Sequence, residues 1–508
     1  MVERPTTAQS EDSTRGLGHP GFGWLAVFVV ALILYMTTAS RGTQWQDSGL
    51  HILRIMDGEL VHPLGLALSH PVHFRLGRAA LSLGMFEPCF AITLVSALAG
   101  AIAVANVFGC VITLTQSRWA GGLAAAGLML ANTFWQVATR AEVYTVSAAL
   151  FSGECWCLAL YAVTQRRHYF WGAVFLNGLG VANHLQGALT TPVLAVIAIW
   201  EWRKRSLRVL DLPAAAALWL IGSLPYLGLV MLEMTRGGHP SAVIYSALFG
   251  RSFADEVLNV DLSARLLLSV SGFLLLGFPN LQWPAFVYGL AARGAVWRST
   301  MLRRILWVEL LIHVAFVMRY NVVDQHYFLL PTLVLVSLVA GVGFGELWKS
   351  GEGAPRQSIR AAAAALVLLT PLVYAIVPGS ARRLEVLKGV ERHKPYRDDY
   401  AYLFWPWSRF ERSAERMSDH AVELARPNGL IIVEDRMGMF AVEYAVRRAG
   451  LREVKITQDV LPQEIKGCVE NDRPVVLVPA NVNEPRATAA VGRWERTGDL
   501  YRLRGLNE

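Results

Sequence analysis

The stretch GFGWLAVFVVALILYMTTASRGTQWQDSGLH, residues 21–51, joins an apolar run to a polar segment that carries a carboxylate. Residues 21–39 contain no charged side chain and are long enough to cross a bilayer as a helix. Asp47 follows this run closely, near the hydrocarbon boundary, where a charge is costly and usually has a function. The stretch therefore predicts a membrane protein with a polar site at the mouth of its first helix.

The composition of the whole chain favours the same class. Hydrophobic residues make up 54% of the 508 residues and charged residues 17%, whereas soluble domains contain about a quarter charged residues. The formal net charge of +8 comes from basic residues in short loops between apolar runs. We interpret them as orientation signals and lipid contacts, not as a nucleic-acid surface. The five cysteines follow no disulfide or metal-binding pattern.

Apolar runs continue as far as Pro378 and predict about eleven transmembrane helices. The runs are residues 21–39, 89–114, 119–134, 143–163, 169–182, 188–200, 212–232, 266–290, 305–318, 328–344 and 361–377. The first run lacks a cleavage signature, so we predict that it is retained as a span rather than removed as a signal peptide.

Basic residues in alternate loops predict the orientation, because such loops stay in the cytoplasm. They are Arg118, Arg166, Arg167, the segment EWRKRSLR (201–208), Arg293, Arg298, Arg303, Arg304, Lys349, Arg356 and Arg360. Residues 1–20 are predicted to be cytoplasmic as well. The other loops hold QDSG, TRAEVYT, ANHLQG, EMTRGGHPSAVIY and RYNVVDQHYF. Every polar cluster is therefore predicted to lie outside the cytoplasm.

Residues 380–508 are more polar, and predicted strands alternate with helices there, which is typical of a small α/β domain. We predict a polytopic α-helical membrane domain over residues 21–379, followed by an extracytoplasmic α/β domain over residues 380–508. In the latter, Glu434 and Asp435 end a predicted strand and either bind a ligand or cap the next helix.

The first outer loop, residues 40–87, is long for a connector and rich in histidine, which favours a functional loop. Asp47 suits either the N-cap of a short interfacial helix or a catalytic base. Histidines could bind a divalent metal, but Pro71 interrupts a helical ligand face between His70 and His73. A divalent metal is thus possible but not indicated, and we predict a structural or substrate-contacting role for His62, His70 and His73.

Four motifs follow one another in a specific order: QDSG (46–49), HPLGLALSHPVHFRLGRA (62–79), NTFWQVATRAEVYT (132–145) and GVANHLQG (180–187). This order resembles the GT-C superfamily of integral-membrane glycosyltransferases. Within it, the order resembles the family that contains the plexin-type protein O-mannosyltransferase and its bacterial relatives. The later segment NGLIIVEDRMGMFAVEYAVRRAG (428–450) is similar to the soluble part of that family.

The resemblance implies a membrane enzyme, in a bacterial inner membrane, that moves a sugar from a polyprenyl-phosphate donor to an extracytoplasmic protein or glycan. Asp47 would be the general base of an inverting transfer, and no cofactor would be needed. Such chemistry requires one carboxylate to accept the proton of the acceptor hydroxyl and fixed donors to stabilise the leaving phosphate.

Further candidate residues come from the outer loops. Those for the phosphate are Arg75, Arg140, His184, Arg319 and His326. Those for other substrate contacts are Glu142, Tyr144, Asn183 and Asp324, together with the loop histidines. A lipid or solute transporter, or flippase, is the alternative function, but that class expects ionisable groups near the bilayer midplane. A scaffold for the outer domain is a third interpretation.

Overall fold

The structure is a computed structural model that describes residues 20–237, 239–292, 297, 299–347, 355–485 and 491–506. Residues 1–19 of the predicted cytoplasmic segment lie outside the described residues, as do Arg293, Arg298 and Lys349.

Helices account for most of the chain up to Arg383. They are α1 (Pro20–Thr38), α2 (Gln46–Asp57), α3 (Pro71–Ser82), α4 (Pro88–Thr115), α5 (Arg118–Met129), α6 (Asn132–Ala138), α7 (Tyr144–Thr164), α8 (Arg167–Asn183), α9 (Thr191–Arg203), α10 (Asp211–Thr235), α11 (Pro240–Phe249), α12 (Ala254–Leu258), α13 (Ala264–Gly277), α14 (Gln282–Ala291), α15 (Thr300–Arg319), α16 (Leu330–Leu347), α17 (Pro355–Leu368) and α18 (Thr370–Arg383). Short 3₁₀ turns cover Leu66–Leu68, Leu185–Leu189 and Gln325–Leu329.

Within the described residues, seven helical segments are long and apolar enough to span a membrane, or eight if the bent pair α13–α14 is one span. The predicted count of about eleven is not confirmed. Helices α5 and α8 have only 12 and 17 residues. Helix α15 is long enough but carries Arg303, Arg304 and Glu309, which make it less apolar than the others.

The predicted single span 266–290 is instead two helices, α13 and α14, that meet at an angle of 102°. Pro279 lies in the break, where it can neither donate a backbone hydrogen bond nor continue the helix. Asn280 stabilises the bend because its Oδ1 accepts a hydrogen bond from the Gln282 amide (2.9 Å) and its Nδ2 donates to Thr370 Oγ1 (2.8 Å).

Helices α4 and α16 form the centre of the membrane domain. In the most apolar stretch of each helix, 83% of the residues of α4 and 100% of those of the segment that ends with α16 are buried. In α1 only 11% are buried, so this helix faces outward. Glycines allow close approach of α14 and α16, since a Cβ at Gly343 would overlap the Ala285 carbonyl oxygen and one at Gly289 that of Val339. Small residues of this kind commonly bring membrane helices together.

The last part of the chain folds as helices around a mixed sheet. The elements are α19 (Asp399–Phe404), α20 (Ser413–Ala425), β1 (Leu430–Val433), α21 (Arg436–Arg448), β2 (Lys455–Thr457), α22 (Pro462–Glu470), β3 (Val475–Val478), β4 (Gly492–Thr497) and β5 (Leu500–Leu506). The strand order is β2-β1-β3-β5-β4, with β1 parallel to β2 and β3, and β5 antiparallel to β3 and β4. The predicted alternation of strands and helices is present, although α22 and β4 were not predicted.

The side chains of β1 point alternately to the two faces of the sheet, and both faces are buried. Ile431 and Val433 pack with α20 and α21, while Leu430 and Ile432 pack with α22. Side chains of a strand point alternately to its two sides, so each face receives its own layer of helix.

This α/β unit contacts the first loop of the membrane domain directly. Trp45 Nε1 donates to Ser413 Oγ (2.8 Å), and the Tyr444 hydroxyl donates to Glu87 Oε2 (2.8 Å). At the far end of α2, Arg447 forms an ion pair with Asp57 (2.6 Å). The first loop and the α/β unit therefore lie on the same side of the helical bundle.

The glycine contact between α14 and α16 yields a test of the fold. Gly343→Leu should lower the melting temperature in detergent, because overpacking of a close contact costs about 1–3 kcal/mol. The matched control is Gly272→Leu in α13, where a Cβ meets nothing within 4 Å. Equal melting temperatures for the two variants would contradict this packing.

Candidate active site

The site begins at the first turn of α2. This helix starts at Gln46, and its N-cap is Trp45, whose side chain makes no capping hydrogen bond. Asp47 is therefore in the first turn and is not the N-cap, so that interpretation is wrong. Among the described residues its carboxylate has no hydrogen-bond partner, which leaves it available for a ligand.

Asp47 lies near Arg54, Glu142, Asp324 and Arg436, which interact with it electrostatically, and we call this group of residues the acidic recess. The Asp47 side chain is accessible to solvent, but protein surrounds the recess closely. Desolvation is the main cause that raises the pKa of Asp47 to about 7, and the nearby Asp324 carboxylate adds to it. Arg436 and Arg54 act in the opposite direction. A carboxyl group with such a pKa is suited to accept a proton near neutral pH.

Glu142 is buried beside Asp47 and holds the start of α2. The Ser48 hydroxyl donates to Glu142 Oε1 at 2.5 Å, and the backbone of Glu142 exchanges two hydrogen bonds with Ser96 Oγ. Burial raises the pKa of Glu142 to about 8, with smaller contributions from Asp47 and Asp324, although the Ser48 hydrogen bond opposes the shift. Glu142 thus contacts protein groups rather than the open recess.

Asp324 is the third acidic side chain of the recess, with Asp47 and Glu142. The Tyr144 hydroxyl donates to Asp324 Oδ2 (3.3 Å), and burial raises the pKa of Asp324. His326 does not pair with this carboxylate, since its ring stacks on Phe273 with centroids 4.4 Å apart. Of the two residues predicted at this helix mouth, only Asp324 faces the recess.

The histidines of the first loop meet the Asn-His pair that ends α8. His70 Nδ1 lies 2.8 Å from the Asn183 carbonyl oxygen, and the His73 amide donates to Asn183 Oδ1 (3.0 Å). The His70 and His184 rings stack at 5.0 Å. His51 adjoins both His70 and His73, although no motif singled it out as a site residue. Motifs far apart in sequence thus form one cluster.

These histidines are neutral imidazoles at physiological pH. Burial lowers the pKa of His62 and of His73 to about 3, and Arg54 contributes to both shifts. Burial also lowers the pKa values of His51 and His70, helped by the neighbouring imidazoles. The cluster can therefore exchange hydrogen bonds with a substrate, but it supplies no positive charge for a phosphate.

Two of the predicted cations are engaged with protein groups. Arg140 donates to the Tyr327 hydroxyl (2.8 Å), Ser408 Oγ (3.1 Å) and the Tyr402 carbonyl (3.2 Å). Arg319 donates to the carbonyls of Val257 (2.5 Å) and Asn259 (2.7 Å). Both guanidinium groups fix loops around the site. Arg75 is exposed on α3.

The residues that the structure describes show no arrangement typical of a metal centre. Over the described residues, no group of three or more His, Cys, Asp or Glu side chains is placed to hold a metal ion. Asp435 is the N-cap of α21, where it accepts from the Met437 amide, and Glu434 accepts from the Ala480 amide. The capping interpretation of Asp435 is thus confirmed.

Comparison with solved structures finds similar folds. The chain is similar to ArnT from Cupriavidus metallidurans bound to undecaprenyl phosphate, with a TM-score of 0.58 and 17% identity over 95% of this chain and 98% of that one. It is also similar to the archaeal oligosaccharyltransferase AglB from Archaeoglobus fulgidus, in complex with an inhibitory peptide and a dolichol-phosphate. That match has a TM-score of 0.52 and 12% identity over 96% of this chain and 74% of that one.

A family model narrows the class further. Residues 47–207 match the family described as the protein O-mannosyl-transferase TMEM260 N-terminal domain. The matched stretch begins at Asp47, within the QDSG motif, and includes the other three motifs as far as GVANHLQG. The resemblance predicted from those motifs is confirmed.

The coupling of Asp47 to Asp324 predicts a pH dependence. If Asp47 acts as a general base, it is protonated and inactive below its pKa, so kcat/KM should fall as the pH drops through about 7. Asp324→Asn removes a neighbouring negative charge and should move this limb to lower pH. The control is Asp472→Asn, in an exposed turn with positive φ that Asn tolerates well. If the fall of kcat/KM occurs at the same pH in Asp324→Asn as in wild type, Asp324 does not raise the pKa of Asp47.

Proposed function

We propose that this chain transfers a sugar from a polyprenyl-phosphate donor to an acceptor hydroxyl, with inversion at the anomeric carbon and Asp47 as the general base. The observation that carries the proposal is the carboxylate of Asp47, which is accessible, is free of partners among the described residues and has a pKa near 7. It begins the stretch that matches the O-mannosyltransferase family.

The proposed step needs only one protonatable group. The acceptor O–H proton passes to the Asp47 carboxylate as the acceptor oxygen forms a bond to the anomeric carbon. The bond from that carbon to the phosphate oxygen breaks, and its electron pair leaves with the lipid phosphate. The phosphate gains one negative charge in this step, so cationic or N–H donors that face it lower the barrier.

The compared structures support the substrate classes. ArnT is bound to undecaprenyl phosphate, and AglB is bound to a dolichol-phosphate and a peptide. We therefore infer a lipid-phosphate-linked sugar as the donor and an extracytoplasmic protein or glycan as the acceptor. The membrane would be a bacterial inner membrane, with the N-terminus in the cytoplasm and residues 380–508 in the periplasm.

The buried membrane residues bear on the transporter alternative. Glu154 in α7 and Glu309 in α15 lie inside the bundle, and the Phe151 and His313 rings on the same two helices are 5.2 Å apart. Asn177 in α8 donates a hydrogen bond from Nδ2 to Glu154 Oε2 (3.2 Å). Ionisable groups at this depth suit a transporter, but neither the family match nor the compared folds support one.

The role of Asp47 is tested by Asp47→Asn, which keeps the shape of the side chain but removes the base. Activity should fall by about a hundredfold to ten-thousandfold, while the melting temperature and binding of undecaprenyl phosphate stay near wild type. These are measured by transfer assay, thermal unfolding and ligand titration on the purified protein.

Glu142→Gln is the matched control for Asp47→Asn. Since burial keeps Glu142 protonated at neutral pH, the amide preserves an acceptor for Ser48, and only a mild loss of activity is expected. If Asp47→Asn keeps more than a few per cent of wild-type activity, another group is the base.

Orientation is tested with reporter fusions. Fusions after Arg167, Arg205 and Arg304 should report a cytoplasmic location because basic loops remain inside. Fusions after Gly187 and at the C-terminus should report the opposite side, since the α/β unit contacts the first loop. A cytoplasmic C-terminus would place the acidic recess on the wrong side for an extracytoplasmic acceptor.

A further inference from the structure

The α/β unit brings the first turn of α21 to the acidic recess. Asp435 caps this helix, and Lys394 holds the Asp435 carboxylate from the other side. Met437 then reaches α2, where its sulfur lies 3.6 Å from Gln46 Nε2. These contacts fix the position of Arg436, which lies between Asp435 and Met437 in sequence and starts α21.

Glycines allow α21 to pack close to the turn that carries Asp47. A Cβ at Gly49, two residues after Asp47, would lie only 3.1 Å from Phe440 Cβ and 2.7 Å from the Gln44 carbonyl oxygen. A Cβ at Gly438 would meet the Trp45 ring at 3.4 Å. The first turns of α2 and α21 therefore meet with little intervening side-chain volume, and both helices present their N-terminal residues to the same space.

Arg436 is exposed and makes no hydrogen bond or ion pair to any described residue. It is nevertheless close enough to influence Asp47 and His62 electrostatically. Arg392 contacts the next residue of this turn, since its Nη1 lies 3.0 Å from the Met437 sulfur. Arg392 is also close enough to lower the pKa of Asp324 electrostatically. Two guanidinium groups of the α/β unit thus face the carboxylates of the membrane domain.

The cations of the membrane domain are less suited to receive a ligand. Arg54 is buried and donates to the Leu60 (2.6 Å) and Ser69 (3.4 Å) carbonyls. Arg140 donates hydrogen bonds to Tyr327, Ser408 and Tyr402 from all three of its guanidinium nitrogens. Arg436, by contrast, has no hydrogen-bond or ion-pair partner among the described residues and lies near the proposed general base, so its guanidinium group is available to an anionic substrate.

We propose that Arg436, with Arg392 beside it, binds the phosphate of the lipid-linked donor. This inference rests on the proposed function and adds a residue from outside the matched stretch 47–207. Arg436 would pair with the donor phosphate before the reaction and with its additional charge as the sugar leaves. The α/β unit is then part of the active site and not only a contact for the acceptor.

The test is titration of the full-length protein with undecaprenyl phosphate in detergent. Arg436→Gln should bind it about ten- to a hundredfold more weakly, because a charge-assisted pair to phosphate is lost. Arg436→Lys should recover part of the affinity, since the charge remains but the two-pronged geometry does not. Added salt should weaken binding to wild type more than binding to Arg436→Gln.

Arg452→Gln is the matched control, because Arg452 is exposed in the same unit beyond the opposite end of α21. Wild-type affinity in Arg436→Gln, or equal weakening in Arg452→Gln, would overturn the inference. Asp47→Asn separates the two proposals: it should bind undecaprenyl phosphate normally without transferring sugar. An active Asp47→Asn together with weak binding by Arg436→Gln would refute the proposed base and leave the phosphate site in place.

Discussion

The hydrogen bond from Ser48 to Glu142 is the contact on which the geometry of the site depends. Helix α2 is short and has no side-chain cap, so it is not stable by itself and needs tertiary contacts. Glu142 is anchored to α4 by Ser96, and it fixes Ser48 and therefore the neighbouring Asp47. The α/β unit packs on the opposite side of the same turn, through Phe440. The first turn of α2 is thus held between the two parts of the molecule.

Three carboxyl groups so close together make each one harder to ionise. Asp47, Glu142 and Asp324 each have a raised pKa, mainly through desolvation, and in Asp47 and Glu142 repulsion from the neighbouring carboxylates adds to the shift. The environments differ, however: Glu142 is buried against Ser48, Asp324 accepts from Tyr144, and Asp47 is accessible. Only Asp47 combines access with a free carboxylate. Clustered perturbed carboxyls of this kind are more typical of functional sites than of structural ion pairs.

The sequence predicted the membrane class, the α/β unit and the shared location of Asp47, Glu142 and Asp324, because motif order and loop charge indicate which residues share a side of the bilayer. It did not predict the bend at Pro279, since a long apolar run looks the same whether its helix is straight or broken. It also did not single out Arg436. Its placement depends on the docking of α21 onto α2, a contact between distant segments that no local pattern encodes.

Charge balance explains why an enzyme of this kind would use both parts of the chain. The imidazoles of the first loop are neutral, because burial and neighbouring cations keep them deprotonated. Arg140 and Arg319 are occupied by the hydroxyls and carbonyls that order the surrounding loops. Arg54 is buried and donates to backbone carbonyls, so a donor phosphate entering beside Asp47 would gain from a further cation. The α/β unit places Arg436 near Asp47, so under the proposed function its docking on α2 would serve phosphate binding as well as packing.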